Sequence, residues 1–348
     1  MSTLVSLDCG NANIKVVSET TRVSFPHALR ELSAFEVQEL AARDAFDASP
    51  NLWQVNHTWY EVGTGAIQRS RGGSAVYGES RYVSTYYGVL AAIASASVLD
   101  TSSRSVLLYG SHTPKDAAYR GDMSTSVVGK WTVSNLGVTK TLNITDFRSF
   151  DEPAGAYRHA TLDDNDTPGY WGNPLLRKGR CLVLDIGGFT TAYSTAEEGK
   201  IVYDMGVSHN NGMLDVLTQF EQLIRTTFRD QLKGSNFLEP LMLREALHTG
   251  VYNARGRGTM KVLEQAAQAR EVLLKDIRNY FHAIDLLGRY DILLLAGGGS
   301  VTIEKAIRQQ YGERISIEVA EKDRANMHFG TALGGMKMLK LLRSRGKL

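Results

Sequence analysis

Short apolar runs broken by tight polar turns recur along the chain and predict β-hairpins. The first is STLVSLDCGNANIKVVS at 2–18, which predicts a strand, a glycine turn and a second strand. LWQVNHTWYEVGTGA at 52–66 predicts another hairpin, with its turn near Asn56 and His57. RSVLLYG at 104–110 has no polar face and predicts a buried strand.

Longer segments between these strands predict helices. STYYGVLAAIASASVL at 84–99 has small and apolar faces, and helices are also predicted over 212–232 and 259–286. DILLLAGGGS at 291–300 predicts a late strand that ends in three glycines. HFGTALGGMKMLKLLRSRGKL at 328–348 predicts a closing helix with a basic end, which packs on its own domain. Strands mixed with long helices predict an α/β protein.

The opening pattern returns about halfway along the chain. RCLVLDIGGFTTAYS at 180–194 repeats the strand, the aspartate, the glycine turn and the second strand. Because Asp8 and Asp185 hold the same place in the two copies, the pattern indicates an internal duplication of a supersecondary unit. The segment 162–180 is rich in Asp, Asn, Pro and Gly, so we expect a surface loop and a domain boundary there.

Composition narrows the function classes. The chain has 348 residues, of which 43% are hydrophobic and 22% charged, enough for two globular domains. The net charge of +2 gives no argument for direct nucleic-acid binding. Two cysteines, Cys9 and Cys181, suit a reducing compartment. With no signal peptide pattern and no apolar stretch long enough to span a bilayer, we expect a cytoplasmic protein without a membrane role.

The two aspartate–glycine turns are candidates for a nucleotide site. A glycine after a strand lets backbone N–H groups approach a phosphate, and Mg²⁺ prefers one or two carboxylates plus waters. We therefore predict Asp8 and Asp185 as Mg²⁺ ligands and Lys15 as a charge on phosphate oxygens. The cluster Gly297, Gly298 and Gly299 precedes a predicted helix and can face a phosphate, ribose or base.

Each motif taken singly also fits a purely structural role. An Asp-Gly turn is equally typical of a hairpin whose aspartate caps its own turn. The chain lacks the G-x-x-x-x-G-K-[ST] pattern of a P-loop, and AGGGSV differs from the G-x-G-x-x-G dinucleotide fingerprint. The three motifs together, in this order and in a duplicated chain, favour a nucleotide cleft between two domains.

The motifs also resemble those of a known family. LDCGNANIKV at 7–16, LDIGGFTTAYS at 184–194 and LLLAGGGSVTIEKAI at 293–307 look like the phosphate-1, phosphate-2 and adenosine motifs of the actin-like ATPases. Within that superfamily, GNANIKV, VNHTWYEVGTGA and STYYGVLAAIA are most similar to the plasmid-segregation actins of the ParM (StbA) type. The resemblance implies a duplicated RNase H-like fold, with domain I at 1–160, domain II at 161–325 and a helix at 326–348 that returns to domain I.

The resemblance further implies specific site residues. DEPAGAYRHA at 151–160 matches the first connecting helix, in which Glu152 would position and deprotonate the attacking water. On local sequence alone, a first-turn helix acid is the favoured reading of Glu152, and Asn211–Gly212 fits an ordinary helix start equally well. Beyond Asp8, Lys15, Asp185 and the three-glycine cluster, the implied nucleotide contacts are Gly10, Asn11, Asn13, Gly187, Gly188, Phe189, Thr190, Asn211, Gly212 and Ser300.

The function implied is ATP-dependent assembly into filaments that hydrolysis destabilises. ATP and Mg²⁺ are the expected cofactors, with GTP as an open alternative. The expected partners are further copies of the chain and a DNA-binding adaptor of the ParR type, which would move plasmid DNA without direct contact between DNA and this chain. A non-polymerising scaffold of the cell-division or pilus-assembly type is the alternative, favoured by the amphipathic tail. Two features differ from the pattern of the family. The segment YGSHTPKDA at 109–117 differs from the G-L-P sequence of the ParM type, and Cys9 lies between Asp8 and Gly10 in the first motif.

Overall fold

The computed structural model describes two open β-sheets with helices packed between and around them. Among the described residues, no helix combines the length and the apolar character needed to cross a bilayer. The two cysteines are buried and not bonded to each other. The described residues are 2–43, 49–69, 85–100, 104–162, 173–232, 238, 240–254, 258–321 and 323–348.

The larger sheet is built from the first part of the chain. Its strands lie in the spatial order β3-β2-β1-β7-β9-β8-β5-β6-β4. The strands are β1 (Thr3–Cys9), β2 (Asn13–Ser18), β3 (Arg22–Pro26), β4 (Leu29–Glu31), β5 (Leu52–Val55), β6 (Thr58–Val62), β7 (Arg104–His112), β8 (Gly129–Asn135) and β9 (Val138–Asp151).

The smaller sheet comes from the second part and has the order β12-β11-β10-β15-β16. A separate hairpin, β13 with β14, lies apart from it. The strands are β10 (Arg180–Ile186), β11 (Thr191–Glu197), β12 (Lys200–His209), β13 (Val251–Ala254), β14 (Gly258–Lys261), β15 (Ile292–Ala296) and β16 (Ser316–Val319).

Helices fill the space beside both sheets, and two 3₁₀ helices span Pro114–Tyr119 and Arg324–Phe329. The α-helices are α1 (Ala34–Ala42), α2 (Thr64–Arg69), α3 (Thr85–Val98), α4 (Arg120–Val127), α5 (Glu152–Thr161), α6 (Leu175–Lys178), α7 (Met213–Thr227), α8 (Pro240–Thr249), α9 (Leu263–Ala283), α10 (Leu286–Arg289), α11 (Ser300–Tyr311) and α12 (Gly330–Ser344).

Most of the helices and strands predicted from the sequence are present in the structure. Asn56 and His57 form the turn of the β5–β6 hairpin with φ of 47° and 77°, and α3 covers the predicted buried helix. The helix predicted over 259–286 is wrong at its start, because Gly258–Lys261 is strand β14, paired with β13. The predicted boundary loop falls largely on 163–172, which lies outside the described residues.

The internal duplication is confirmed in the sheet topology. In the first sheet β3, β2 and β1 are antiparallel neighbours, and β1, β7 and β9 follow in parallel. The second sheet repeats this with β12, β11 and β10 antiparallel and β10, β15 and β16 parallel. The prediction of a duplicated two-domain α/β fold is therefore confirmed.

Two helices cross between the halves. Helix α5 follows the first sheet but packs on the second, where Ala156 and Tyr157 share a core with Val183. Helix α12 follows the second sheet but packs on the first, where Met336 and Leu339 share a core with strands of that sheet. The apolar side of the closing helix is thus covered by the protein itself, and the predicted domain bounds at 160 and 325 stay a prediction.

Small residues allow these helices to touch. A methyl group added to Gly334 of α12 would overlap the carbonyl oxygen of Gly155 in α5. The two helices therefore approach with backbone against backbone. Each brings a polar residue of its first turn to the boundary between the halves. Glu152 is the first residue of α5, and Thr331 lies in the first turn of α12.

Candidate nucleotide-binding site

The two aspartate–glycine turns face each other between the sheets. Asp8 is the residue before the last in β1 and pairs in register with Lys15 on β2, while Asp185 in β10 pairs with Ala192 on β11. A methyl group added to Gly188 would lie 2.5 Å from the Cβ of Ala12. The tips of the two hairpins are therefore in contact, and the aspartates stand behind them on either side.

Asp8 is held by two partners. Its Oδ2 accepts a hydrogen bond from the Lys15 ammonium at 2.8 Å, and its Oδ1 accepts one from the Ser111 hydroxyl at 2.9 Å. Ser111 reaches it from β7, the neighbouring parallel strand. Burial by itself lowers the pKa of Lys15, but the nearby charges of Asp8, Glu152 and Asp185 outweigh it and hold that pKa above its ordinary value. One ammonium thus lies among three carboxylates.

Asp185 has a weaker set of partners. Its Oδ2 accepts a hydrogen bond of 3.2 Å from the hydroxyl of Thr331. Burial and the charge of Asp8 raise the pKa of Asp185 to about 6, although Lys15 and Thr331 act in the opposite direction. The Asp185 carboxylate is therefore a buried charge with too little positive charge near it.

Glu152 completes this group from the start of α5. It is buried, with a relative exposure of 9%, and near enough to Lys15 for its charge to raise the pKa of the lysine. Its carbonyl oxygen lies 3.5 Å from the same Thr331 hydroxyl that contacts Asp185. The crossing helices thereby bring a glutamate and a threonine from distant parts of the chain to the two turns.

A divalent cation such as Mg²⁺ fits the charges of this group. Three carboxylates against one ammonium leave an excess of buried negative charge, which a divalent cation would compensate. Within the part of the chain that the structure describes, no three His, Cys, Asp or Glu side chains are arranged to ligate a metal by themselves. Asp8 and Asp185 together offer two carboxylates, and Mg²⁺ is commonly bound by one or two carboxylates with water and phosphate oxygens.

The first turn is shaped by close contacts. A methyl group on Gly10 would lie 2.8 Å from the Lys15 nitrogen and 3.0 Å from the carbonyl oxygen of Asn13. The Gly10 carbonyl oxygen is 2.9 Å from Nδ1 of His27, which anchors it. Asn11 and Asn13 are half-buried beside it. The first turn therefore lies next to Asp8, since a methyl group on Gly10 would be 3.7 Å from its Oδ1.

The second turn is joined to helix α7. The carbonyl oxygens of Gly187 and Gly188 accept hydrogen bonds from the first N–H groups of α7, at 3.1 and 2.7 Å, while the Gly187 N–H donates to Thr190 at 2.8 Å. Phe189 is half-buried and Thr190 buried at the tip. Two backbone hydrogen bonds thereby fix the helix start to the turn.

Asn211 and Gly212 lie against this second turn. A methyl group on Gly212 would be 2.8 Å from the carbonyl oxygen of Gly188. The Asn211 carbonyl oxygen accepts from the Thr191 hydroxyl at 2.8 Å, and its side-chain amide donates to Asp276 of α9 at 2.8 Å. The pair is thus near the predicted phosphate turn, but the Asn211 side chain is directed to α9.

The three-glycine cluster lies beside Asp185. β15 runs parallel to β10 and sets Ala296 opposite Asp185, and Gly297 follows with φ of 76°. A side chain at Gly297 would overlap the Asp185 carboxylate. Ser300 is buried and donates its hydroxyl to the Gly297 carbonyl oxygen at 2.7 Å, so it closes the turn. Gly298 has the more open surroundings, with His328 3.5 Å from an added methyl group, while Gly299 packs on Ile186.

Two residues of the site were missed by sequence reasoning. Ser111 and Thr331 hold the two aspartates, yet both come from distant segments. The segments YGSHTPKDA and HFGTALGG contain these two residues. A single serine or threonine in such a segment belongs to no motif that would identify it as a site residue.

Comparisons with known proteins identify the family. A family model described as the N-terminal domain of actin-like proteins matches residues 6–155. A second model, described as the C-terminal part of the archaeal MreB-like actin homologue, matches residues 183–309. The chain belongs to the actin-like proteins. Asp8, Lys15 and Glu152 lie in the first matched segment, and Asp185 with the three-glycine cluster lies in the second.

Solved structures show the same fold over nearly the whole chain. Ta0583, an archaeal actin homologue crystallised with ADP, is 18% identical with a TM-score of 0.70, covering 98% of this chain and 99% of that one. Bacillus thuringiensis ParM with ATP is 14% identical, with a TM-score of 0.72 and 99% of both chains covered. A 15-stranded ParM filament from Clostridium botulinum is 17% identical, with a TM-score of 0.71 and 97% and 98% covered. No curated protein sequence matches the actin-like chain.

Proposed function

We propose that this actin-like protein binds ATP with Mg²⁺ between its two halves and hydrolyses it. The observation that carries the proposal is the meeting of Asp8, Asp185 and Glu152 around Lys15, between two glycine turns in contact. Such a group has the carboxylates that Mg²⁺ prefers and backbone turns suited to phosphate. Ta0583 with ADP and Bacillus thuringiensis ParM with ATP share the fold, which supports the choice of nucleotide. GTP remains the alternative.

In this proposal each side chain has one role. Lys15 contacts phosphate oxygens, and Asp8 and Asp185 hold the metal ion from opposite halves. Bound Mg²⁺ would neutralise charge on the phosphates. Glu152 orients the attacking water and accepts its proton, because phosphoryl transfer depends mainly on positioning and electrostatics. The residues at the tips of the turns, with Asn211, Gly212 and the three-glycine cluster, surround the rest of the nucleotide.

We further propose that nucleotide binding drives assembly of this chain into filaments of the ParM type, and that hydrolysis destabilises them. The fold shared with the Clostridium botulinum ParM filament supports self-association. Plasmid segregation through a ParR-type adaptor is the role that follows from the ParM resemblance. A near-neutral net charge of +2 suits indirect rather than direct contact with DNA.

The non-polymerising scaffold is a weaker candidate in this structure. The amphipathic tail was the feature that favoured it, and the apolar residues Met336 and Leu339 of that tail pack on the first sheet. That surface is therefore occupied within the chain.

The proposal is tested with Mg-ATP on the purified protein. Light scattering and pelleting report assembly while phosphate release is followed in parallel. Glu152→Gln keeps the shape of the side chain but cannot accept a proton, so we expect slow phosphate release and a polymer that persists. Glu313→Gln, at an exposed position, is the matched control. Normal hydrolysis in Glu152→Gln would remove Glu152 from the mechanism, and tight nucleotide binding without polymer at any concentration would overturn the filament role.

A further inference from the structure

A buried polar cluster lies at the end of β7, directly behind the candidate site. His112 is the last residue of β7, fully buried, and pairs in register with Asp151, the last residue of β9. Neighbouring residues on a strand point to opposite faces of the sheet. Ser111 therefore reaches Asp8 on one side, while His112 contacts Asp151 on the other.

The hydrogen bonds define the state of His112. Its Nε2 accepts from Nε of Arg120 at 2.9 Å. Its Nδ1 lies 2.9 Å from the carbonyl oxygen of Thr113 and 3.2 Å from Oδ1 of Asp151, both of which are acceptors. One ring nitrogen accepts and the other donates, which is the pattern of a neutral imidazole with its proton on Nδ1. Burial lowers the pKa of His112, in agreement with a neutral ring.

Asp151 holds an unusual place for its side chain. It is the N-cap residue of α5, a position at which aspartate usually accepts a hydrogen bond from the helix N–H groups. Here its side chain accepts none from the described turn of α5. Its Oδ1 faces His112 and lies 3.4 Å from Nη2 of Arg120, and the residue is 2% exposed. The junction between β9 and α5 is therefore fixed by the cluster and not by ordinary capping.

The residue that follows this junction is Glu152. Its carboxylate would need a stable position to orient a water molecule, since a misplacement of about 1 Å can cost about 100-fold in rate. Asp151 and Glu152 are consecutive residues, so no flexible segment separates the cluster from the glutamate. A fixed position of Asp151 therefore restricts the position of the Glu152 backbone and of the side chain attached to it.

We propose that His112 is a positioning residue for ATP hydrolysis, acting on Glu152 through Asp151, with Arg120 as the third member of the cluster. The inference rests on the hydrolysis proposed above. If the cluster served stability alone, altering it would change the unfolding temperature. The hydrolysis rate of the folded protein would then be the same whichever hydrogen bond was lost.

Three variants separate these cases. His112→Leu removes both hydrogen bonds, and we expect single-turnover hydrolysis of Mg-ATP to fall about 30-fold or more, with the Kd for a fluorescent ATP analogue within about twofold of wild type. His112→Asn keeps an amide donor near the position of Nδ1, so most of the activity should return. Arg120→Gln weakens the cluster from a side chain that is 48% exposed, and we expect a loss of about threefold to tenfold without a folding defect.

Arg148→Gln is the matched control, because Arg148 lies on β9 outside the cluster and bonds to Asp146 and the Lys347 carbonyl oxygen. Unchanged hydrolysis in a folded Arg120→Gln together with equal loss in His112→Asn and His112→Leu would overturn the proposal. A weakened Kd that accounts for the lost rate would overturn it as well.

A double-mutant cycle separates this proposal from the proposed role of Glu152. If His112 acts through Glu152, His112→Leu has no further effect on hydrolysis in a Glu152→Gln background. The same fold-loss in both backgrounds would overturn the positioning role while leaving Glu152 in the mechanism. Wild-type hydrolysis in Glu152→Gln alone would instead overturn the proposed role of the glutamate, on which the inference rests.

Discussion

The two halves of the site are built from the same unit but carry different charge. Asp8 faces Lys15 across its hairpin, whereas the residue opposite Asp185 is Ala192. Ser111 holds Asp8 from the adjacent parallel strand, whereas Ala296 stands beside Asp185 on the corresponding strand of the second sheet. The second copy therefore keeps the carboxylate and lacks both polar partners of the first.

This difference gives the two aspartates different electrostatic surroundings. Asp8 is already compensated and forms part of a stable hairpin. The pKa of Asp185 is raised to about 6 by burial and by Asp8, so its charge costs stability until a cation arrives. A duplicated backbone can thus hold one compensated and one poorly compensated carboxylate. The following experiments test that contrast, from the largest expected effect to the smallest.

Neutralising each aspartate should change stability in opposite directions. Asp185→Asn removes a poorly compensated charge, so we expect the nucleotide-free protein to gain about 3 kcal/mol at pH 8, from a pKa displaced from 3.8 to about 6. Asp8→Asn leaves Lys15 without its ion pair and should cost about 3 kcal/mol or more. Urea unfolding measures both, and binding of Mg-ATP should weaken in each. A loss of stability in both variants would contradict the contrast.

The contribution of Asp185 to the stability of the nucleotide-free protein should fall as pH rises through the acid range. A carboxyl whose pKa is higher in the folded state than in the unfolded state binds its proton more tightly when folded, so that contribution is present at low pH. This contribution to the free energy of unfolding is lost between about pH 4 and pH 6, since the pKa of Asp185 is displaced from 3.8 to about 6. Above that range Asp185 causes no further change. Unfolding of wild type and Asp185→Asn over this range isolates it. Parallel pH profiles would show that Asp185 is not responsible.

The contact between the two turns should be sensitive to a single methyl group. In Gly188→Ala the new Cβ would lie 2.5 Å from that of Ala12, so the halves must separate slightly, at about 1–3 kcal/mol. Gly187→Ala is the matched control, because its nearest neighbour would be 3.3 Å away. We expect Gly188→Ala to weaken Mg-ATP binding about tenfold or more and Gly187→Ala to do so less. Equal affinities would indicate that the turns part freely.

An exposed contact between the halves should matter least. Lys115, in the 3₁₀ helix after β7, donates to the side chain of Asn210, the residue that follows β12. Exposed pairs of this kind contribute about 1 kcal/mol or less. Lys115→Met, Asn210→Ala and the double variant form a cycle whose coupling energy should fall below that value, with Lys130→Met as the control. A coupling as large as the effect of Asp8→Asn would make this contact a main tie between the halves.

The site could be predicted from sequence where its residues share one hairpin. Asp8 and Lys15 are seven positions apart, and alternation in two short strands brings them face to face. Strand β14 was missed, since GTMK at 258–261 is too short and polar to show a pattern and its pairing with β13 decides its form. The roles of the implied site residues remain predictions, although their turns lie together.

By itself, the sequence determined the duplicated hairpins, the glycine turns and the aspartate that each one carries, because these depend on neighbours only a few positions away. The tertiary structure decided which side chains complete them. Ser111 is 103 positions from Asp8, and Thr331 is 146 positions from Asp185. Only the order of strands in the sheets and the crossing of α5 and α12 bring these groups together, and burial in that arrangement is what raises the pKa of Asp185 while Lys15 stays paired with Asp8.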